Sequence, residues 1–213
     1  MEQPMKKILL SLVLTLLIPL QACAQDQAQW KEGEHYVVVN DTASAKPEVL
    51  EFFSFWCPHC HNFEPLVKQI KQKLDSDVAF KKIHVNFMGS AGPDAQNDAT
   101  RAMMVGRALK KEQPLNQAIF QSIHVQRATV TGLGDLQNIF TANGVEAAEF
   151  DKLARSFGVN SMLQKNNKTI DQYRKYLSGV PNFIVNGKYQ AKFTRDMNND
   201  DIVNLIVWLS KQK

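Results

Sequence analysis

The feature that most narrows what this chain can fold into is a pair of cysteines two residues apart, set between segments of opposite periodicity. Before them lies Val49-Leu50-Glu51-Phe52-Phe53-Ser54-Phe55-Trp56, an apolar and aromatic run whose length suits a strand buried on both faces. After Cys57-Pro58-His59-Cys60 the pattern becomes helical, with Phe63, Leu66, Val67, Ile70 and Leu74 on one face. Pro58 suits the first helical turn, where its missing N–H would have no partner anyway. Cys57 is thus placed at the N-terminal end of a helix that follows a buried strand. Free backbone N–H groups and the helix dipole favour negative charge there, so a thiolate at Cys57 is stabilised.

The third cysteine, Cys23, belongs to a different kind of segment. Lys6 and Lys7 precede an apolar stretch of 13 residues, Ile8 to Leu20, and the small residues Ala22-Cys23-Ala24 follow. That order predicts a secretory signal peptide over residues 1–24, too short to span a bilayer. Cleavage after Ala24 leaves a soluble chain beginning at Gln25. Leu20-Gln21-Ala22-Cys23 also reads as a lipobox, with Gln21 unusual inside it, which would leave a lipid anchor on Cys23. Both outcomes stay open.

Export places the folded part in an oxidising compartment, where structural disulfides staple distant segments. A bridge from Cys57 to Cys60 closes almost no loop, so its value is chemical. The net charge of +4 comes without a basic run or an aromatic-interleaved patch, which argues against nucleic acid as a partner.

The rest of the pattern supplies the frame. Val78 to Phe87 reads as a second strand and His35 to Val39 as a further one. Pro181 to Tyr189 reads as a hairpin turning at Asn186-Gly187, and Asn199 to Lys213 as a closing helix. Strand, CxxC helix, strand, hairpin and helix is the order of a thioredoxin-like fold. The expected class is therefore α/β, with residues 25–93 and 179–213 as a thioredoxin-like domain and 94–178 as an inserted all-helical subdomain.

Five apolar stripes mark that insertion. Ala99, Ala102, Met103, Gly106 and Leu109 form the first; Leu115, Ala118, Ile119 and Ile123, opened by Pro114, the second. Leu136, Ile139 and Phe140 form a third, stopped by Asn143-Gly144. Phe150, Leu153, Ala154 and Phe157 form a fourth, and Ile170, Tyr173, Tyr176 and Leu177 a fifth. With no repeat or low-complexity linker to separate it, the insertion is expected to dock as a cap.

The chain resembles the DsbA family of periplasmic thiol:disulfide interchange proteins over nearly all of its mature length. The residues that carry the resemblance are Glu51-Phe52-Phe53-Ser54-Phe55, Cys57-Pro58-His59-Cys60, His84-Val85-Asn86-Phe87-Met88-Gly89, and Gly179-Val180-Pro181 followed by Phe183 to Gln190. Trp56 and His61 depart from some members and bear on substrate preference.

The resemblance implies that Cys57 is the exposed, low-pKa cysteine that forms mixed disulfides and Cys60 its buried partner. Together they make the redox-active disulfide of a strong oxidant. It implies supporting roles for Pro58, His59, Val180, Pro181, Glu51, Glu64 and Lys82. Pro181 is expected in the cis form, leaving the backbone at Val180 open to an extended substrate. Glu51, costly to bury in a strand, would ferry protons for Cys60 with Lys82 as counter-charge, or else be a strand-edge charge. Glu64 would tune the site or be a solvated helix residue.

The implied activity is donation of the Cys57–Cys60 disulfide to reduced, newly exported proteins by a monomer without cofactor or metal. A quinone-linked membrane oxidase of the DsbB family would reoxidise it. His35, His84 and His124 read as structural, and His61 as solvent-facing near the site or without a role. Two other functions fit the residues less well. A disulfide isomerase or reductase of this fold often carries an N-terminal domain, for which Gln25 to Val39 leaves no room. A soft-metal module built on Cys57, Cys60, His59 and His61 lacks the further ligands that structural zinc uses.

Overall fold

The apolar run ahead of the cysteines becomes the inner strand of a five-stranded sheet. In the computed structural model, which describes residues 29–212, the strands are β1 (Tyr36–Val38), β2 (Glu48–Phe53), β3 (Ala79–His84), β4 (Asn182–Val185) and β5 (Tyr189–Ala191). Their order is β1-β5-β4-β2-β3. The expected signal peptide, residues 1–24, and Cys23 lie outside the described residues.

Strand β2 pairs parallel with β3, setting Glu51 opposite Lys82, and antiparallel with β4, setting Glu51 opposite Phe183. With a neighbour on each side β2 is not an edge, which removes the strand-edge reading of Glu51. Alternation then sends Leu50 and Phe52 to one face of the sheet and Val49, Glu51 and Phe53 to the other.

Both sequence-predicted strands are longer than the observed ones. Residues 54–56 leave the sheet because Ser54 turns the chain: its Oγ accepts from Trp56 N–H (3.2 Å) and its carbonyl from Cys57 N–H (3.1 Å). The edge of β3 at His84 is closed by Asn166, whose amide both accepts from and donates to the His84 backbone (3.1 and 2.8 Å). The hairpin turns where expected. Asn186 (φ 52°) and Gly187 (φ 64°) supply the two left-handed residues that a tight two-residue turn requires.

Helix α1 (Pro58–Lys73) and the C-terminal helix, called α7 (Asn199–Ser210), cover the Val49 face. Leu66, Val67 and Ile70 pack there with Phe183, Val203, Ile206 and Leu209. The insertion consists of α2 (Pro93–Ala108), α3 (Glu112–His124), α4 (Leu133–Ala142), α5 (Ala147–Ala154) and α6 (Phe157–Tyr173), followed by a 3₁₀ turn, Arg174–Tyr176. Ile170, Tyr173 and Leu177 from its end cover the Leu50–Phe52 face.

The first three stripes face inward as expected, and Gly144 (φ 77°) ends α4. The fourth stripe needs correction. Ser156 Oγ accepts from Val159 N–H (3.2 Å) and starts a new helix, so Phe157 opens α6 and is 89 % exposed. Val159, fully buried, takes the inward place instead.

The insertion docks as a cap. One continuous apolar cluster joins Met103, Ile119, Phe120, Leu136, Phe140 and Phe150 to Phe53, Phe55, Cys57 and Cys60. Among the described residues no helix is long and apolar enough to cross a membrane.

Candidate active site

Cys57 is the N-cap of α1, with Pro58 as the first helical residue. Its Sγ accepts from the Cys60 N–H (3.3 Å), one of the orphan donors every helix start exposes. Sγ also lies 3.4 Å from the Val180 carbonyl, to which the thiol hydrogen donates. The Val180–Pro181 bond is cis, as the family resemblance implied. Both cysteines are free thiols.

Their acidities are driven apart. The Cys57 pKa is lowered to about 6, first by the hydrogen bond from the Cys60 side chain. Burial opposes this, and the backbone N–H groups of Cys60 and His59 and the charge of His59 assist. Cys60 moves strongly the other way, first because it donates to Cys57 and then because burial disfavours its thiolate. The negative charges of Cys57 and Glu51 push further in that direction.

One expectation is corrected here: Cys57 is not openly exposed. It shows 4 % of its surface against 0 % for Cys60, because the Val180 segment lies over it. The two sulfurs differ more in electrostatics than in access.

Beneath them, Glu51 is fully buried and ion-paired to Lys82 (2.7 Å), which also reaches Glu64 (2.6 Å). The Lys82 ammonium sits over the Phe53 ring at 4.3 Å. Burial raises the Glu51 pKa against the pull of Lys82. For Lys82, burial works against the charge, but the two carboxylates reverse it and raise its pKa. The second Glu51 oxygen, Oε1, has no hydrogen-bond partner. Glu64 is therefore part of this ion-paired group rather than simply solvated. Lys82 and Glu64 also line a small cavity of about 90 Å³, together with Lys68, Lys71, Glu112 and Asn116.

The histidines divide. His59 is exposed at the helix start. His84 is buried against Phe53, Phe55 and Trp56 with Nδ1 2.8 Å from Thr100 Oγ1, and burial, then Lys82, lowers its pKa to about 3. His61 does not face solvent freely; its ring stacks on His124 (5.1 Å, 9°). His124 in turn reaches the Phe55 carbonyl (2.7 Å). Nothing in the sequence signalled this contact, because the residues that form it are 69 positions apart. Among the described residues no three His, Cys, Asp or Glu side chains group as metal ligands would.

An acidified thiol at the start of a helix, one turn before a buried thiol in the same helix and packed on a thioredoxin-like sheet, defines a thiol–disulfide oxidoreductase. Comparison with known proteins narrows this class. The family described as DSBA-like thioredoxin domain matches residues 48–205. The thiol:disulfide interchange protein DsbA of Haemophilus influenzae is 37 % identical over 204 residues, covering 93 % of this chain and 94 % of that protein. The DsbA of Escherichia coli is 34 % identical over 218 residues, covering 98 % of this chain and all of the relative. Among solved structures, the disulfide oxidoreductase DsbA from Proteus mirabilis superposes with a TM-score of 0.73 at 26 % identity, covering 86 % of this chain and 98 % of that one. The chain belongs to the DsbA family.

Proposed function

We propose that the protein oxidises newly exported, reduced proteins in the periplasm, using Cys57 and Cys60 as its reacting pair. The observation that carries this reading is a pair of thiols one helical turn apart, Cys57 Sγ at the helix N-cap on the Cys60 N–H (3.3 Å) and Cys60 fully buried, with their acidities driven in opposite directions. In the oxidised protein a substrate thiolate attacks Cys57 Sγ, forming a substrate–Cys57 disulfide and breaking the Cys57–Cys60 bond. Cys60 departs and takes a proton. A second substrate thiolate then attacks the substrate sulfur of the mixed disulfide, and Cys57 departs as a thiolate. The substrate has lost two electrons and the enzyme has gained them. A leaving thiol of low pKa departs faster, so the acidity of Cys57 drives the second step forward.

Cys60 needs a proton as it leaves, because its thiolate is disfavoured. Glu51, buried and with its pKa raised, supplies it in this reading. Lys82 and Glu64 then connect Glu51 to the small cavity and so to solvent. Val180 offers its carbonyl beside Cys57 to an extended substrate chain, with Pro181 next to it, while Pro58 and His59 shape the helix start that holds the thiolate. Reoxidation falls to a quinone-linked membrane oxidase of the DsbB family, and the working form is a monomer.

The test is trapping. Cys60→Ala is expected to accumulate substrate–Cys57 disulfides that disappear on reduction, and Cys57→Ala to trap none. Equal trapping by both variants would overturn the assignment of roles.

A further inference from the structure

The segment that carries Cys57 from the sheet into α1 is tied by three hydrogen bonds. Two are internal, from Trp56 N–H to Ser54 Oγ and from Cys57 N–H to the Ser54 carbonyl. The third comes from outside. His124, the last residue of α3, places Nε2 2.7 Å from the carbonyl of Phe55. A carbonyl oxygen only accepts, so Nε2 carries the hydrogen.

The same ring also touches the other bank of the site. It stacks on His61 in the first turn of α1, at 5.1 Å and 9°. His61 donates its own backbone N–H to the Cys57 carbonyl (3.1 Å). Phe120, one turn earlier in α3, supports both imidazoles, with centroids 5.6 Å from His61 and 6.0 Å from His124. One side chain of the insertion thus holds the segment before Cys57 by a hydrogen bond and the helix after it by stacking.

We propose that His124 is a positioning residue for the Cys57 thiolate, fixing the Phe55–Cys57 segment against α1 so that Sγ stays on the Cys60 N–H. This rests on the disulfide-donor reading above. Among the contacts that stabilise the thiolate is the Cys60 N–H to sulfur approach of 3.3 Å, and hydrogen bonds weaken steeply as distance and angle degrade. Phe55 is fully buried, so its carbonyl has little alternative to the imidazole. Leaving a buried acceptor unsatisfied costs more than the bond contributes when made. The segment would shift to find a partner, and Cys57 is two residues away.

The test uses the whole protein with His124→Phe, which keeps a flat ring against His61 and Phe120 but removes the donor, and His124→Gln, which keeps an N–H donor. Three quantities are read: titration of Cys57 by thiolate absorbance, the equilibrium with glutathione, and urea unfolding of both redox forms. In His124→Phe, Cys57 is expected to titrate higher and the oxidising equilibrium constant to fall about three- to tenfold, the equivalent of one hydrogen bond. His124→Gln is expected to recover most of this.

Equal destabilisation of both redox forms with an unchanged Cys57 titration would overturn the proposal and leave His124 a packing residue. Should His124→Phe not fold, His124→Asn, too short to reach the carbonyl, is compared with His124→Gln. Identical Cys57 titrations in that pair would equally overturn it. A wild-type protein whose Cys57 titrates as an ordinary thiol would instead remove the disulfide-donor reading itself.

Discussion

The mouth of the active site and its floor lie within one helical turn of each other and are built in opposite senses. At the mouth, Cys57 takes a hydrogen bond from the Cys60 side chain, meets the N-terminal N–H groups of α1 and lies near the charge of His59, and its pKa falls to about 6. On the floor, Cys60 is buried over Glu51, and its pKa rises far above that of a free thiol. A helix terminus stabilises a nearby anion because its donors are unpaired, whereas a thiol that donates its hydrogen to a neighbouring sulfur and is buried keeps its proton, with the Glu51 charge adding to this. In the proposed reaction this difference supplies the driving force for disulfide donation. Electrons are welcome on one sulfur as charge and on the other only together with a proton.

Beyond the trapping experiment, the largest expected effect comes from breaking the floor. Lys82→Met leaves Glu51 without its cation, and removing one partner of a buried pair typically costs about 3–5 kcal/mol. Glu51 already binds its proton more tightly folded than unfolded, so its contribution to stability is full below about pH 4.3 and is lost as pH rises toward the folded value. Lys82→Met raises that folded value further. Its penalty in urea titrations is therefore expected to be small in acid and to grow toward neutral pH. Glu51→Gln combined with Lys82→Met is expected to restore most of the loss. A penalty independent of pH would show that Glu51 is not the group concerned.

Next is the mouth. Cys57 is acidified in the folded, reduced protein, so its contribution is full above an unfolded pKa of about 8.5 and is lost as pH falls through about 6. The oxidised form has no such contribution, and its bridge closes almost no loop. The reduced protein is expected to be more stable by about 1–2 kcal/mol at pH 7, with the gap closing in acid; in alkali the raised pKa of Cys60 works against it, because the unfolded chain gives up that proton first. Paired urea titrations of the two redox forms measure it. A more stable oxidised form at neutral pH would contradict the asymmetry.

The smallest effect separates His59 from the helix terminus. His59→Ala removes a side-chain charge but keeps the backbone N–H, and that charge ranks below the hydrogen bonds among the causes of Cys57 acidity. The glutathione equilibrium is expected to weaken about two- to fivefold, the scale of one partly exposed charge at a helix end. A much larger loss would move the origin of the acidity from the helix to the imidazole.

The sequence by itself determined the strand–CxxC–helix unit, the Asn186-Gly187 turn and the class of chemistry. Each is encoded by residues close together in the chain: apolar runs, a proline at a helix start, two residues that tolerate positive φ. It also marked Glu51, since a carboxylate inside an apolar strand is costly wherever it lands. Tertiary structure decided what that carboxylate meets, because parallel pairing of β2 with β3 is what sets Glu51 opposite Lys82. It decided that Cys57 is covered by the Val180 segment rather than open, and that Phe157 faces solvent because Ser156 starts a new helix. It also brought His124 onto the Phe55 carbonyl across 69 positions. A main-chain carbonyl carries no side-chain identity, so its partner cannot be read along the chain; only the docking of the insertion chose it.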